Sequence, residues 1–205
     1  MDSPIRELHP GQPPQVALHD RAMDNLRYIR ETMERSEAFT HVSGAGSVWM
    51  GVVALAAAIL ASTAADAAEW ITIWLVAAGL SLGIATLSIV RKSRSDGVSI
   101  LSGPARKFAW SAIPPLATGG VLTVAFVRAG ALDLLPGMWL LVYGTSVVTG
   151  GAHSVRPVPA MGAAFMITGL GALLTPASWG PVWMAGGFGG LHLMFGAVIW
   201  RKHGG

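Results

Sequence analysis

Six apolar stretches, each about as long as one bilayer-crossing helix (~20 residues), leave this chain very few folds to choose from. They run over residues 44–63, 69–90, 108–128, 134–152, 157–176 and 180–200, and no Asp, Glu, Lys, Arg, Asn or Gln stands in the middle of any of them. In hydrocarbon the backbone must satisfy its own hydrogen bonds, so uncharged stretches of this length predict helices. Only 12% of the 205 residues are charged, against about a quarter in soluble domains. The expected fold is an all-α integral membrane protein, a six-helix transmembrane bundle over residues 41–205 with no room for a second folded domain.

The chain contains no cysteine, which excludes disulfides, thiolate metal sites and cysteine nucleophiles. Its first apolar run starts only at residue 44, so no cleavable signal peptide is expected. Residues 1–16 hold Pro4, Pro10, Pro13, Pro14 and Gly11 and read as a disordered tail. Residues 17–40 read as an amphipathic helix, because Met23, Leu26, Ile29 and Met33 recur at three- and four-residue spacing. Arg27 with Glu31, Arg30 with Glu34 and Glu31 with Arg35 are opposite charges four residues apart, each adding about 0.2–0.5 kcal/mol. Such a helix lies on the membrane surface, docks a cytoplasmic partner, or leads as a solvated helix into the bundle.

Lysine and arginine placement orients membrane helices. With six spans, Arg6, Arg21, Arg27, Arg30, Arg35, Arg91, Lys92, Arg94, Arg106, Lys107, Arg156, Arg201 and Lys202 all fall on one side, and Arg128 falls on the other. Both termini are therefore expected in the cytoplasm of a bacterial inner membrane. The net charge of +3 is accounted for by this topology and implies no nucleic-acid partner. Tryptophans are expected in interfacial belts, with Trp70, Trp74, Trp139, Trp179 and Trp183 at the outer face and Trp49, Trp110 and Trp200 toward the inner one.

A sparse internal repeat is visible when Arg91, Arg156 and Arg201 are aligned. Gly79, Gly144 and Gly189 then fall in register, Trp74 matches Trp139, and His192 takes the place of Leu82 and Val147. The spans thus read as three helical hairpins, 1–2, 3–4 and 5–6. Gly79-x-x-x-Gly83 and Gly186-x-x-x-Gly190, with Gly144 and Gly189, are the expected helix-packing positions. Pro114-Pro115 predicts either a kink in the third span or a helix that starts there.

His192 is the one ionisable group at mid-depth and the candidate functional polar site. Its plainest role is a neutral imidazole bonded across helices to a hydroxyl such as Ser146, Thr145, Thr149 or Ser81. A haem or metal would need a second histidine, and His41 with His153, both near the cytoplasmic boundary, form the candidate cofactor pair. No cofactor is otherwise expected.

Gly144-Thr145-Ser146-Val147 in the fourth span and His192 in the sixth are similar to the motifs of rhomboid intramembrane serine proteases. That resemblance implies Ser146 as nucleophile and His192 as its base. The chain departs from the pattern in three ways. Val147 stands where a glycine follows the serine, the second span has no histidine or asparagine for an oxyanion, and Ser146 lies roughly 18 Å from the outer end of its span.

The architecture, six spans as three Gly-rich hairpins behind the segment Arg27-Tyr28-Ile29-Arg30-Glu31-Thr32-Met33-Glu34, resembles uncharacterised bacterial six-span proteins. It also looks like HdeD-type acid-resistance membrane proteins. These likenesses imply a stress-related or regulatory membrane protein and carry over no functional residue. The absence of intramembrane charge argues against an ion-coupled transporter. The leading expectation is a non-enzymatic protein acting through a homo-oligomer or a cytoplasmic partner at residues 17–40. The alternatives are a carrier or channel for a small or apolar solute, and the Ser146–His192 hydrolase.

Overall fold

A computed structural model of the chain describes residues 21–29, 42–95, 103–152 and 154–203. The expected tail over residues 1–16 and the candidate pair His41–His153 lie outside the described residues. The chain divides into two units, Met1–Glu37 and Ala38–Gly205. In the first, residues 21–29 form helix α1 with Met23, Leu26 and Ile29 all exposed.

The second unit is a multi-pass helical membrane bundle, with no β-sheet among the described residues. Its helices are α2 (Gly44–Ala61), α3 (Ala67–Ser95), α4 (Gly103–Ala129), α5 (Leu135–Gly151) and α6 (Pro157–Leu174). The sixth span is composite: α7 (Gly180–Met184), a π-helical segment (Ala185–Leu191) and α8 (His192–His203). Six of the resulting segments are long and apolar enough to cross a membrane.

Helix ends follow local rules. Ser43 caps α2 by accepting from the Gly46 amide at 3.0 Å. Asp66 accepts from the Glu69 amide at 2.8 Å while Glu69 accepts from the Ala65 amide at 2.7 Å, so both carboxylates hold the start of α3. At the end of α4, Gly130 has φ +69°, and the Gly130 and Ala131 amides donate to Val127 and Phe126. That is a Schellman cap, whose left-handed residue is normally glycine because it lacks a Cβ.

Packing separates a centre from a periphery. Only 11% of the most apolar window of α3 and of α4 is buried, against 33–39% in the other spans. The tightest pairs are α5 with α6 and α2 with the sixth span. Both join helices that the hairpin reading had placed in different hairpins.

The reason lies in glycines seven residues apart. Gly137, Gly144 and Gly151 line α5, and Gly162 and Gly169 line α6. A Cβ on Gly144 would sit 2.7 Å from the Gly162 carbonyl oxygen, and one on Gly162 would sit 2.7 Å from the Gly144 carbonyl oxygen. Gly44 and Gly51 of α2 oppose Gly196 and Gly189 of the sixth span in the same antiparallel manner. A Cβ on Gly196 would be 2.8 Å from the Val48 amide nitrogen, and one on Gly44 would collide with the backbone of Trp200. Heptad spacing keeps one face of each helix toward its neighbour, and bare glycine lets the backbones close in.

Within one chain Gly144 and Gly189 lie in close helix contacts, whereas Gly79, Gly83, Gly186 and Gly190 have nothing within 4 Å of a built Cβ. The tryptophans divide between surface and core: Trp49, Trp110, Trp179 and Trp200 are exposed, whereas Trp74 is buried in the core and Trp70, Trp139 and Trp183 pack against it.

Candidate functional site

Pro114 and Pro115 lie inside α4, which is a single helix and does not start there. Each proline removes one helical N–H, and for Pro115 the carbonyl left without its donor is that of Ser111. The Thr149 hydroxyl of α5 lies 2.8 Å from that carbonyl and 2.9 Å from the Thr145 carbonyl of its own helix. Beside it, the Ser146 hydroxyl donates to the Ala112 carbonyl at 2.8 Å. Side-chain hydroxyls thus re-satisfy backbone around the proline pair, as neighbouring helices do in hydrocarbon.

Ser146 is therefore engaged with α4 and not with His192. Neither of the bonds made by His192 reaches a serine or threonine. Its Nε2 is 2.7 Å from the Tyr143 hydroxyl and its Nδ1 is 2.8 Å from the Phe188 carbonyl oxygen. The serine–histidine bond that a hydrolase of the rhomboid kind requires is not made. The hydroxyl that meets His192 across the helices is that of Tyr143, and not that of Ser146, Thr145, Thr149 or Ser81. We expect Ser146→Ala to cost about 0.6–1.7 kcal/mol of bundle stability, measured by unfolding in mixed micelles, with no labelling of the wild-type protein by a serine-reactive fluorophosphonate. Labelling that vanishes in Ser146→Ala would overturn the packing role.

The proton positions at His192 follow by elimination. A carbonyl oxygen only accepts, so Nδ1 carries the hydrogen. The neutral ring then offers a lone pair at Nε2, and the Tyr143 hydroxyl donates to it. The bond to Phe188 belongs to the π-helical segment. The His192 backbone N–H turns to the Gly189 carbonyl, so the imidazole of the same residue supplies a donor to the Phe188 carbonyl four residues back. Four glycines in Ala185–Leu191 weaken regular helix there, since each costs roughly 0.8–1.0 kcal/mol relative to alanine. Single π turns of this kind recur at functional sites.

Around this pair the interior is aromatic. Tyr143 meets Phe165 edge-on at 4.7 Å between centroids and Phe188 at 5.4 Å. Phe165 meets His192 at 5.1 Å. The cluster continues outward from Phe188 to Trp74 at 6.2 Å, from Trp74 to Trp70 at 6.3 Å, and from Trp70 to Trp139, stacked at 5.6 Å. The Trp139 and Trp183 indole N–H groups donate to Thr123 and Thr175, at 2.8 and 2.7 Å. Among the described residues the buried Trp74 N–H has no hydrogen-bond partner.

Tyr143, Phe165, Phe188 and Trp74 were missed as site residues. A signal existed for the first of them, because Tyr143 is one of only two tyrosines in the chain and lies three residues before Ser146. Aligning Ser146 with Leu191 also aligns Tyr143 with Phe188, and these two rings do touch.

A carrier would need space at mid-depth, and that level is filled by Leu140, Phe165, Met184 and His192, each almost wholly buried. A cavity of about 180 Å³ lies instead at the end of the bundle opposite Arg91, between Trp70, Asp133, Pro136 and Gly180. Among the described residues no group of three His, Asp or Glu side chains is placed to hold a metal ion. Comparison of the chain with family models, with curated proteins and with solved structures returns no match.

Proposed function

We propose that the protein works by lateral association in the bacterial inner membrane, as a homo-oligomer formed through α3, and that it catalyses no reaction. The observation that carries this reading is the bare small-residue face of α3. Gly79 and Gly83, one helical turn apart, have nothing over them, while Leu75, Val76, Leu80, Leu82 and Leu87 on the same helix are exposed. Small residues four apart on an uncovered span let a second helix approach to backbone contact.

The absence of cysteine makes the test clean. Leu82→Cys is expected to give a covalent dimer on oxidation in native membranes, whereas Val121→Cys, exposed on α4, is not. Equal crosslinking at both sites, or none at either, would remove the reading. Orientation with both termini in the cytoplasm is supported by the basic residues gathered at one end of the bundle.

A second reading has its own observation. Met23, Leu26 and Ile29 of α1 present an exposed apolar row, which suits a cytoplasmic protein partner. Deleting residues 17–40 is expected to produce a phenotype and to abolish pull-down of partners; no partner and no phenotype would remove this reading. The likeness to HdeD-type proteins would make either form of association stress-related or regulatory.

A further inference from the structure

We propose that Tyr143 and His192 form a proton-coupled redox pair, fed through Trp70 and Trp74, that traps oxidising equivalents arriving from lipid peroxyl radicals at the membrane boundary. The inference is independent of the association reading and rests on three features of the aromatic cluster.

The first is the wiring. Trp70 is half-buried at the start of α3, lining the cavity at the loop end of the bundle. From it the rings follow one another without a gap, to Trp74 at 6.3 Å, Phe188 at 6.2 Å and Tyr143 at 5.4 Å. Indole and phenol are the side chains, besides cysteine, that give up one electron most readily. Phe188 is too hard to oxidise and serves as the bridging ring between Trp74 and Tyr143.

The second is where a proton can go. A phenol loses its electron easily only if its proton leaves at the same time. The Tyr143 hydroxyl already donates to His192 Nε2 at 2.7 Å, and the opposite ring nitrogen is held on the Phe188 carbonyl at 2.8 Å. The acceptor is thus aimed before any electron moves, in a site where Phe165 and His192 are almost wholly buried and Tyr143 and Phe188 half-buried.

The third sets the direction. Trp74 is 6% exposed and its indole N–H has no partner among the described residues. An oxidised Trp74 therefore has no base to receive its proton and stays a radical cation, which takes an electron back from Tyr143. The hole comes to rest on the tyrosine because Tyr143 alone in this column stands on a base.

The step balances. A peroxyl radical takes one electron from Trp70 and one proton from water at the boundary, becoming a hydroperoxide and leaving one hydroxide in the water, whose charge balances the imidazolium formed inside. Trp70 is refilled through Trp74 from Tyr143. The Tyr143 O–H bond breaks, its proton goes to His192 Nε2, and a phenoxyl radical beside an imidazolium remains. One radical is consumed and one is formed, now held on the half-buried Tyr143 beside His192.

The test uses the full chain in lipid nanodiscs with Tyr28→Phe as background, which leaves Tyr143 as the sole tyrosine. Flash oxidation with a soluble ruthenium(III) polypyridyl, followed by electron paramagnetic resonance, is expected to yield a tyrosyl radical. Adding Tyr143→Phe should abolish it and leave a tryptophan radical, and Trp74→Phe should remove most of its yield. In vesicles carrying a lipid-soluble azo initiator, the background protein should delay lipid oxidation and the Tyr143→Phe form should not. A tryptophan radical with no tyrosyl signal in the background protein would overturn the proposal. So would an undiminished tyrosyl yield in Trp74→Phe, or equal lipid oxidation with and without Tyr143. His192→Gln, if it folds, should shorten the tyrosyl lifetime, and an unchanged lifetime counts against the pair.

Discussion

Gly144→Ala is expected to destabilise the single-chain bundle, dispersed in detergent, by about 1–3 kcal/mol, while Gly83→Ala is expected there to be neutral or stabilising by up to about 1 kcal/mol. Both residues are glycines in the middle of spanning helices, and both are expected packing positions. The geometry of the single chain separates them. A methyl group on Gly144 meets the Gly162 carbonyl oxygen at 2.7 Å and the Met166 amide nitrogen at 2.8 Å. These are backbone atoms, so α6 has to move as a whole and the α5–α6 contact opens along its length. On Gly83 the same methyl meets nothing, and only the gain in helix propensity remains. Unfolding by denaturing detergent, followed by far-ultraviolet circular dichroism, measures both. Gly44→Ala should behave like Gly144→Ala, since its Cβ would strike the backbone of Trp200. A Gly83→Ala loss as large as that of Gly144→Ala in dispersed single chains would contradict the packing described above.

His192→Leu is expected to be the most damaging single change outside the glycine seams. It strands the Tyr143 hydroxyl and takes the side-chain donor from the Phe188 carbonyl, and a polar group buried without a partner carries a penalty of about 1–3 kcal/mol. Tyr143→Phe strands only His192 Nε2 and should cost less. Combining the two removes the whole Tyr143–His192 contact, so the double variant should be more stable than the sum of the single losses predicts. Intramembrane hydrogen bonds measured this way average about 0.6 kcal/mol with a maximum near 1.7 kcal/mol, and the coupling should fall in that range. Strict additivity would mean that the 2.7 Å bond contributes nothing to folding.

Both variants bear on how a polar pair is kept in a dry interior. The imidazole does two jobs there, completing the backbone accounting of the π-helical turn and receiving the phenol. The first is local to the sixth span, and the second ties that span to α5. The Ser146 and Thr149 hydroxyls do comparable work one turn along α5, where they supply donors next to the prolines of α4.

The number of spans, their limits to within a few residues and the all-α class were legible in the sequence, because a bilayer imposes one length and one polarity on anything that crosses it. His192 could likewise be picked out as the interior polar group, and the need for a hydroxyl opposite it followed from hydrogen-bond satisfaction alone. The choice of hydroxyl did not follow. Ser146 and Tyr143 lie on neighbouring faces of α5, and which face turns to the sixth span depends on how α5 rotates when Gly137, Gly144 and Gly151 seat against α6. That rotation carries Ser146 to α4 and Tyr143 to His192. The glycine seams show the same division: the seven-residue spacing was present in the sequence, but so was the four-residue spacing of Gly79 and Gly83, and both allow close approach. Only the assembled bundle decides between them, because a glycine has no side chain of its own to say what lies opposite. Apolar length is set residue by residue, whereas the facing of helices is set by all of them together.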